Sequence, residues 1–115
     1  MKTYDPSIFS GGWFIGSFTP SVVRTKDFEV CYKFHPKGEQ WPEHYHKLSD
    51  EINYLIEGEM TIDGVTTLKA PLIFVIEKND IAKPEFFTDC KLIVVKIPSI
   101  PGDKILINSP PDGSL

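Results

Sequence analysis

Arginine, cysteine, histidine and long apolar runs are all scarce in this chain, and each scarcity removes a class of function. Arg24 is the single arginine among 12 basic residues, set against 16 acidic ones and a net charge of −4. No run of lysines compensates. A nucleic-acid surface works by neutralising phosphates with clustered cations, so nucleic acid is not an expected partner. Cys31 and Cys90 are the only cysteines. Two thiols without Cys-x-x-Cys spacing make neither a disulfide framework nor a thiolate metal site, and they read as small buried side chains. The longest aliphatic runs, residues 72–76 and 92–95, fall far short of the roughly 20 apolar residues of a membrane helix. The first ten residues hold no apolar segment of the secretory kind, which predicts a cytoplasmic protein.

Helical periodicity is missing as well. Strand signals recur instead at short intervals. Phe28, Val30, Tyr32 and Phe34 alternate with Glu29, Cys31, Lys33 and His35, a period of two that gives one apolar face and one mixed face. Further strands are expected at residues 13–18, 51–57, 59–63, 65–69, 72–77 and 91–97. Asp63-Gly64 reads as a tight hairpin turn and Lys78-Asn79-Asp80 as polar turn chemistry. Residues 72–77 are nearly all apolar, which suggests burial on both faces. The domain spans residues 1–115, with an N-terminal arm at 1–12 and an irregular Pro- and Gly-rich tail at 98–115.

The three histidines are His35, His44 and His46, and the last two stand two residues apart. Residues i and i+2 of a strand share a face, so His44 and His46 can hold one ion together. A turn after them can return Glu51 beside the two rings. Two imidazoles and a carboxylate suit a divalent transition metal (Fe, Mn, Ni or Zn) and leave coordination positions open. The spacing Gly38, His44, His46, Glu51, Gly58 resembles the first signature motif of the cupins at every fixed position. The resemblance implies an all-β, single-domain double-stranded β-helix, a jelly-roll barrel of seven or eight strands with the metal in its cavity. It also implies a homodimer.

The second cupin motif is incomplete. Aligned on the apolar strand, Pro71 takes the place of its first Gly, Glu77 and Asn79 of its Pro and Gly, Ala82 of its histidine and Phe86 of its Asn. Alanine cannot coordinate, and no histidine follows His46. Asp80 and Glu85 are the acids near enough to substitute. Asn53 shares a strand face with Glu51, and His35 and Arg24 are further candidates for contacting a cavity ligand. Trp13, Phe14 and Phe18 read as core or as a dimer face.

The expected function is therefore a small metal-binding cupin that acts on, or binds, a small polar molecule in its cavity. Within the resemblance, dioxygenase, isomerase and lyase chemistries all occur, and no catalytic acid or base stands out beyond Glu51. The alternatives are a non-catalytic binder of a sugar or other small ligand with a degenerate metal site, and a dimerising scaffold. No membrane partner is expected.

Overall fold

The computed structural model describes residues 1–107. The last part of the expected tail, residues 108–115, lies outside the described residues. Eleven strands form: β1 (Trp13–Gly16), β2 (Val23–Arg24), β3 (Glu29–His35), β4 (His44–His46), β5 (Asp50–Glu57), β6 (Glu59–Thr61), β7 (Leu68–Lys69), β8 (Leu72–Ile76), β9 (Glu85–Phe86), β10 (Cys90–Ile97) and β11 (Lys104–Leu106). Two single 3-10 turns, Pro6–Ile8 and Ser10–Gly12, make up the helical content of the arm.

The larger sheet runs β2-β1-β3-β10-β5-β8. The facing layer is built from two short sheets, β11-β4 and β7-β6-β9. Backbone bonds between residues 38–44 and 82–86 join them. His44 and Ala82 exchange both of theirs, at 2.9 and 2.8 Å, and the Gly38 N–H donates to the Phe86 carbonyl at 2.8 Å. The two layers enclose Cys31, Leu55, Met60, Phe86, Cys90 and Leu92 as a common core. This is a double-stranded β-helix, the architecture expected from the sequence.

The direction of the strand faces is the main departure from the simple hydrophobic-inside rule. In β3 the mixed face turns inward, with Glu29 and Cys31 buried, while Tyr32 and Phe34 are exposed. In β8, Ile73 and Val75 face outward and are exposed, so that strand is covered on one side only. The hairpin at Asp63-Gly64 is also wider than a two-residue turn. The β6–β7 pairing stops at Met60↔Leu68, and the Asp63 carboxylate organises the loop by accepting from the Val65 and Thr66 N–H groups at 2.8 and 2.7 Å. Those bonds, that from Thr66 first, hold its carboxyl well below the usual carboxylate range.

Two motif glycines have a backbone reason. Gly38 and Gly58 take φ of 88° and 103°, where side chains are strained. At Gly58 a Cβ would also lie 2.4 Å from the Asp89 carbonyl oxygen, so the β5–β6 corner has room only for hydrogen.

Part of the stretch expected to be irregular is ordered into the fold. β11 pairs antiparallel with β4, with Lys104 opposite His46 and Leu106 opposite His44. Just before it, the buried Asp103 carboxylate accepts from three successive amides of the β4–β5 loop. Its Oδ1 lies 3.2 and 3.1 Å from the Lys47 and Leu48 nitrogens, and its Oδ2 lies 3.0 Å from those of Leu48 and Ser49. Hydrogen bonds to a charged acceptor contribute more than neutral ones, and their loss strands buried donors. Asp103→Ala is expected to lower unfolding free energy by about 2–4 kcal/mol, read from urea denaturation; a change below 0.5 kcal/mol contradicts the clamp.

Candidate metal and ligand site

β4 is three residues long, and its alternation buries His44 and His46 while leaving Tyr45 on the opposite side. The loop held by Asp103 then delivers Glu51 to the inner face of β5. The His46 Nδ1 and Glu51 Oε2 atoms lie 3.4 Å apart. That is long for a hydrogen bond, and His46 Nδ1 is buried without a hydrogen-bond partner. It is also about the separation of two donors that share one ion at ~2.1 Å from each. The His44 and His46 rings stand edge to face with centroids 5.4 Å apart. His44 Nδ1 lies 2.9 Å from the Pro42 carbonyl oxygen. A carbonyl only accepts, so this nitrogen carries the proton and Nε2 keeps a bare lone pair.

Burial pushes both imidazoles below their usual range. His46 falls to about 4, through burial first and then the Lys96 and His44 charges. Burial raises the Glu51 carboxyl. Both rings are therefore neutral near pH 7, the form that can donate to a metal. Among the described residues, no three His, Cys, Asp or Glu side chains are arranged as a preformed metal set.

Ala82 stands opposite His44, where the incomplete second motif predicts the missing ligand, and it is buried. Neither acid replaces it. Asp80 is exposed and accepts from the Glu77 N–H, and neither Asp80 nor Glu85 lines the cavity.

The cavity between the sheets measures about 490 Å³. Asn53 is buried on its wall; its Nδ2 makes no close hydrogen bond, and the amide faces the Glu51 carboxylate, whose charged form it favours. His35 lines the other end, stacked on Phe86 at 4.1 Å, with Nδ1 3.2 Å from Glu39 Oε2. Arg24 is not at the site. It is exposed on the two-residue strand β2 and absent from the cavity lining, so the expected arginine contact is corrected.

The cations at the cavity are lysines, which sequence reasoning missed. Lys96 of β10 lies directly across from Glu29 on β3 and Glu51 on β5, giving a charged row Glu29–Lys96–Glu51 on the inner face. Lys96 Nζ is 3.4 Å from Glu29 Oε1, and both residues are buried. Lys33 and Lys104 also line the cavity. Lys33 and Lys96 each stand 5.8 Å from the Trp13 ring, and Lys104 stands 4.3 Å from that of Trp41. The one available signal was the mixed face of β3, which becomes informative only once that face is known to turn inward.

No family model matches the sequence, and no curated protein matches it. Solved structures do. An uncharacterized conserved protein with a double-stranded β-helix domain from Klebsiella pneumoniae is similar at a TM-score of 0.64 and 22% identity, over 74% of each chain. An RmlC-like cupin family protein with a double-stranded β-helix fold from Methanocaldococcus jannaschii reaches a TM-score of 0.56 and 26% identity, over 67% of this chain and 75% of that one. The chain has the cupin fold. An acetylacetone dioxygenase from Acinetobacter johnsonii shares it at a TM-score of 0.61 and 18% identity, over 78% of this chain and 60% of that one.

The buried histidines of this cupin fold set its acid response. His35, His44 and His46 all have folded-state pKa values lowered by burial, so the unfolded chain binds more protons as pH falls below about 6.5. Stability is complete above that range and declines toward pH 4, with His46 contributing up to about 3 kcal/mol. The raised Glu51 carboxyl opposes this trend from about pH 4.5 upward, because there the folded state holds a proton that the unfolded chain has released. Urea denaturation of metal-stripped Glu51→Gln protein, in which the opposing carboxyl is gone, at pH 7.5 and pH 5 is expected to give the lower stability at pH 5; equal stabilities refute neutral buried histidines.

Proposed function

We propose that this chain is a small metal-dependent cupin that acts on a small polar molecule in its cavity. The observation that carries the reading is the pair of the buried His46 Nδ1 and the partly buried Glu51 Oε2, 3.4 Å apart and not hydrogen-bonded. A divalent transition metal (Fe, Mn, Ni or Zn) would be held by His46 and Glu51, with His44 completing the set. When bound, the ion supplies Lewis acidity to an oxygen of the substrate. The chain's own residues do the rest. The Pro42 carbonyl keeps the His44 tautomer fixed. Ala82 leaves the position opposite His44 without a ligand. The Glu29–Lys96 pair places a proton acceptor and a proton donor opposite the histidines. Met60, Ile62, Leu92 and Phe86 make the remaining lining apolar. Chemistry of the dioxygenase, isomerase or lyase kind fits such a site, and one structural neighbour is named as a dioxygenase.

A second reading, a non-catalytic binder of a sugar or other small ligand, is favoured by Ala82 and by the lack, among the described residues, of a preformed three-residue set. Metal analysis of untagged protein separates the two. About one equivalent of transition metal is expected, and His46→Ala is expected to lose it while remaining folded. Metal-free protein that takes up none on addition, yet is stabilised by small ligands, supports the binder.

The proposal includes a homodimer in the cytoplasm, and the face that would form it is the outer side of the six-stranded sheet. Strand register places Tyr32, Ile93, Tyr54 and Ile73 in one row and Val30, Val95, Ile52 and Val75 in the next. Neither row contains a charge; Lys91 and Glu57 pair at one margin, 3.2 Å apart. Tyr32 is 43% exposed, Phe34 50%, Tyr54 45%, Ile73 60% and Val75 53%. Together these residues offer a continuous apolar patch of the kind that marks a protein–protein interface. A second copy laid face to face would cover it without opposing like charges. Light scattering at micromolar concentration should give twice the chain mass, and Tyr54→Lys combined with Ile73→Lys should give a folded monomer; monomeric wild type refutes this interface.

A further inference from the structure

The cavity is a cationic island in an acidic chain. The chain carries a net charge of −4, yet the cavity lining holds three lysines, Lys33, Lys96 and Lys104, against the two glutamates Glu29 and Glu51. Every lysine–tryptophan contact in the described residues is at this cavity. Buried polar atoms without partners are rare in native proteins, and each calls for a ligand or a cost. Besides His46 Nδ1, the buried atoms without a hydrogen bond here are Asn53 Nδ2, a donor, and Glu29 Oε1, an acceptor that is ion-paired with Lys96 Nζ at 3.4 Å and keeps lone-pair capacity for a further donor. Both residues lie on the inner face of the same sheet, beside Lys96. The rest of the lining is largely apolar: Leu92 and Val94 continue the inner face of β10 from Lys96, and Met60, Ile62 and Phe86 come from the facing layer.

A molecule that answers all of these groups has a negative head that accepts hydrogen bonds, a hydroxyl beside it that donates one, and a short apolar body. We infer that the cavity takes a small 2-hydroxy carboxylate with an apolar side chain. Its carboxylate sits on the Lys96 and Lys104 ammoniums and the Asn53 amide, its hydroxyl donates to Glu29 Oε1, and its carbon body lies on Met60, Ile62, Leu92 and Phe86. Lys96 has a proton left for this role, because Glu29 and Glu51, which flank it, occupy at most two of its three. Lys104 stands opposite His46 on the neighbouring strand, so its ammonium can reach the same end of the cavity. The inference rests on the cavity being the functional site, as proposed above, and not on a metal being held there.

Calorimetric titration of the full untagged chain, as purified and again after dialysis against EDTA, tests it with three probes of one carbon skeleton: 2-hydroxy-3-methylbutanoate, 3-methylbutanoate and 2-hydroxy-3-methylbutanamide. The hydroxy acid is expected to bind tightest in both preparations. Replacing its carboxylate by the amide should weaken binding about tenfold or more, as loss of a charge-assisted contact does. Removing the hydroxyl should weaken it severalfold. Lys96→Met should abolish the preference for acid over amide. Because that change leaves Glu29 buried beside an uncharged side chain, Lys104→Met, in an exposed strand position, serves as the second variant and should reduce the preference. An amide that binds as tightly as the acid, a hydroxyl without effect, or no binding by any probe overturns the inference. Binding of the acid only in metal-containing protein overturns it too, and leaves the metal reading standing, since the metal would then be the anchor.

Discussion

One carboxylate holds the site together. Asp103 comes from the loop between β10 and β11 and binds three consecutive amides between His46 and Asp50. These amides belong to the short segment that must reverse the chain from one sheet to the other. Without a partner the Ser49 amide would be a buried donor with no acceptor, and the segment would be free to slide. Bound to Asp103, the segment fixes how His46 on one layer meets Glu51 on the other. The same contact anchors β11, which carries Lys104 to its place opposite His46. The metal-type pair and one of the cavity cations thus depend on a single ionised group more than fifty residues away in sequence.

The interior that results is unusual in its balance of forces. Glu29, Lys96 and Asn53 are all buried, and burying charge is costly unless it is paired. Lys96 offsets much of that cost by lying between two glutamates on adjacent strands, which is where cross-strand attraction acts most directly. The arrangement still leaves donors and acceptors unpartnered. A core selected for stability alone would replace this row with aliphatic side chains. Its presence is a structural cost located at the cavity, as is common for groups that serve a ligand.

The polar interior and the apolar exterior are two sides of one sheet. Because strand side chains alternate, turning Glu29, Cys31, Lys33 and His35 inward forces Val30, Tyr32 and Phe34 outward. The same parity on β5, β8 and β10 brings Tyr54, Ile73 and Ile93 to the outer surface in register. A wet, charged cavity and a greasy outer face are therefore a single choice of register. The cost of exposing that face is what a covering partner would remove.

Residues within a short span were legible from the chain itself. His44, His46, Glu51, Gly38 and Gly58 are tied by the geometry of one strand, one turn and the next strand, and local backbone rules are enough to bring them together. Ala82 at the missing ligand position was legible for the same reason, through the strand and turn that precede it. The orientation of β3, the row Glu29–Lys96–Glu51, the clamp by Asp103 and the exclusion of Arg24 were not. Each depends on which strands become neighbours across long sequence separations. Alternation specifies two faces but not which of them meets the other sheet, and a hydrophobic-inside rule chooses wrongly when the enclosed space is polar. The sequence alone determined a β-fold carrying a histidine–carboxylate motif; only tertiary structure decided which charges share its cavity, because pairing between distant strands sets the distances over which those charges act.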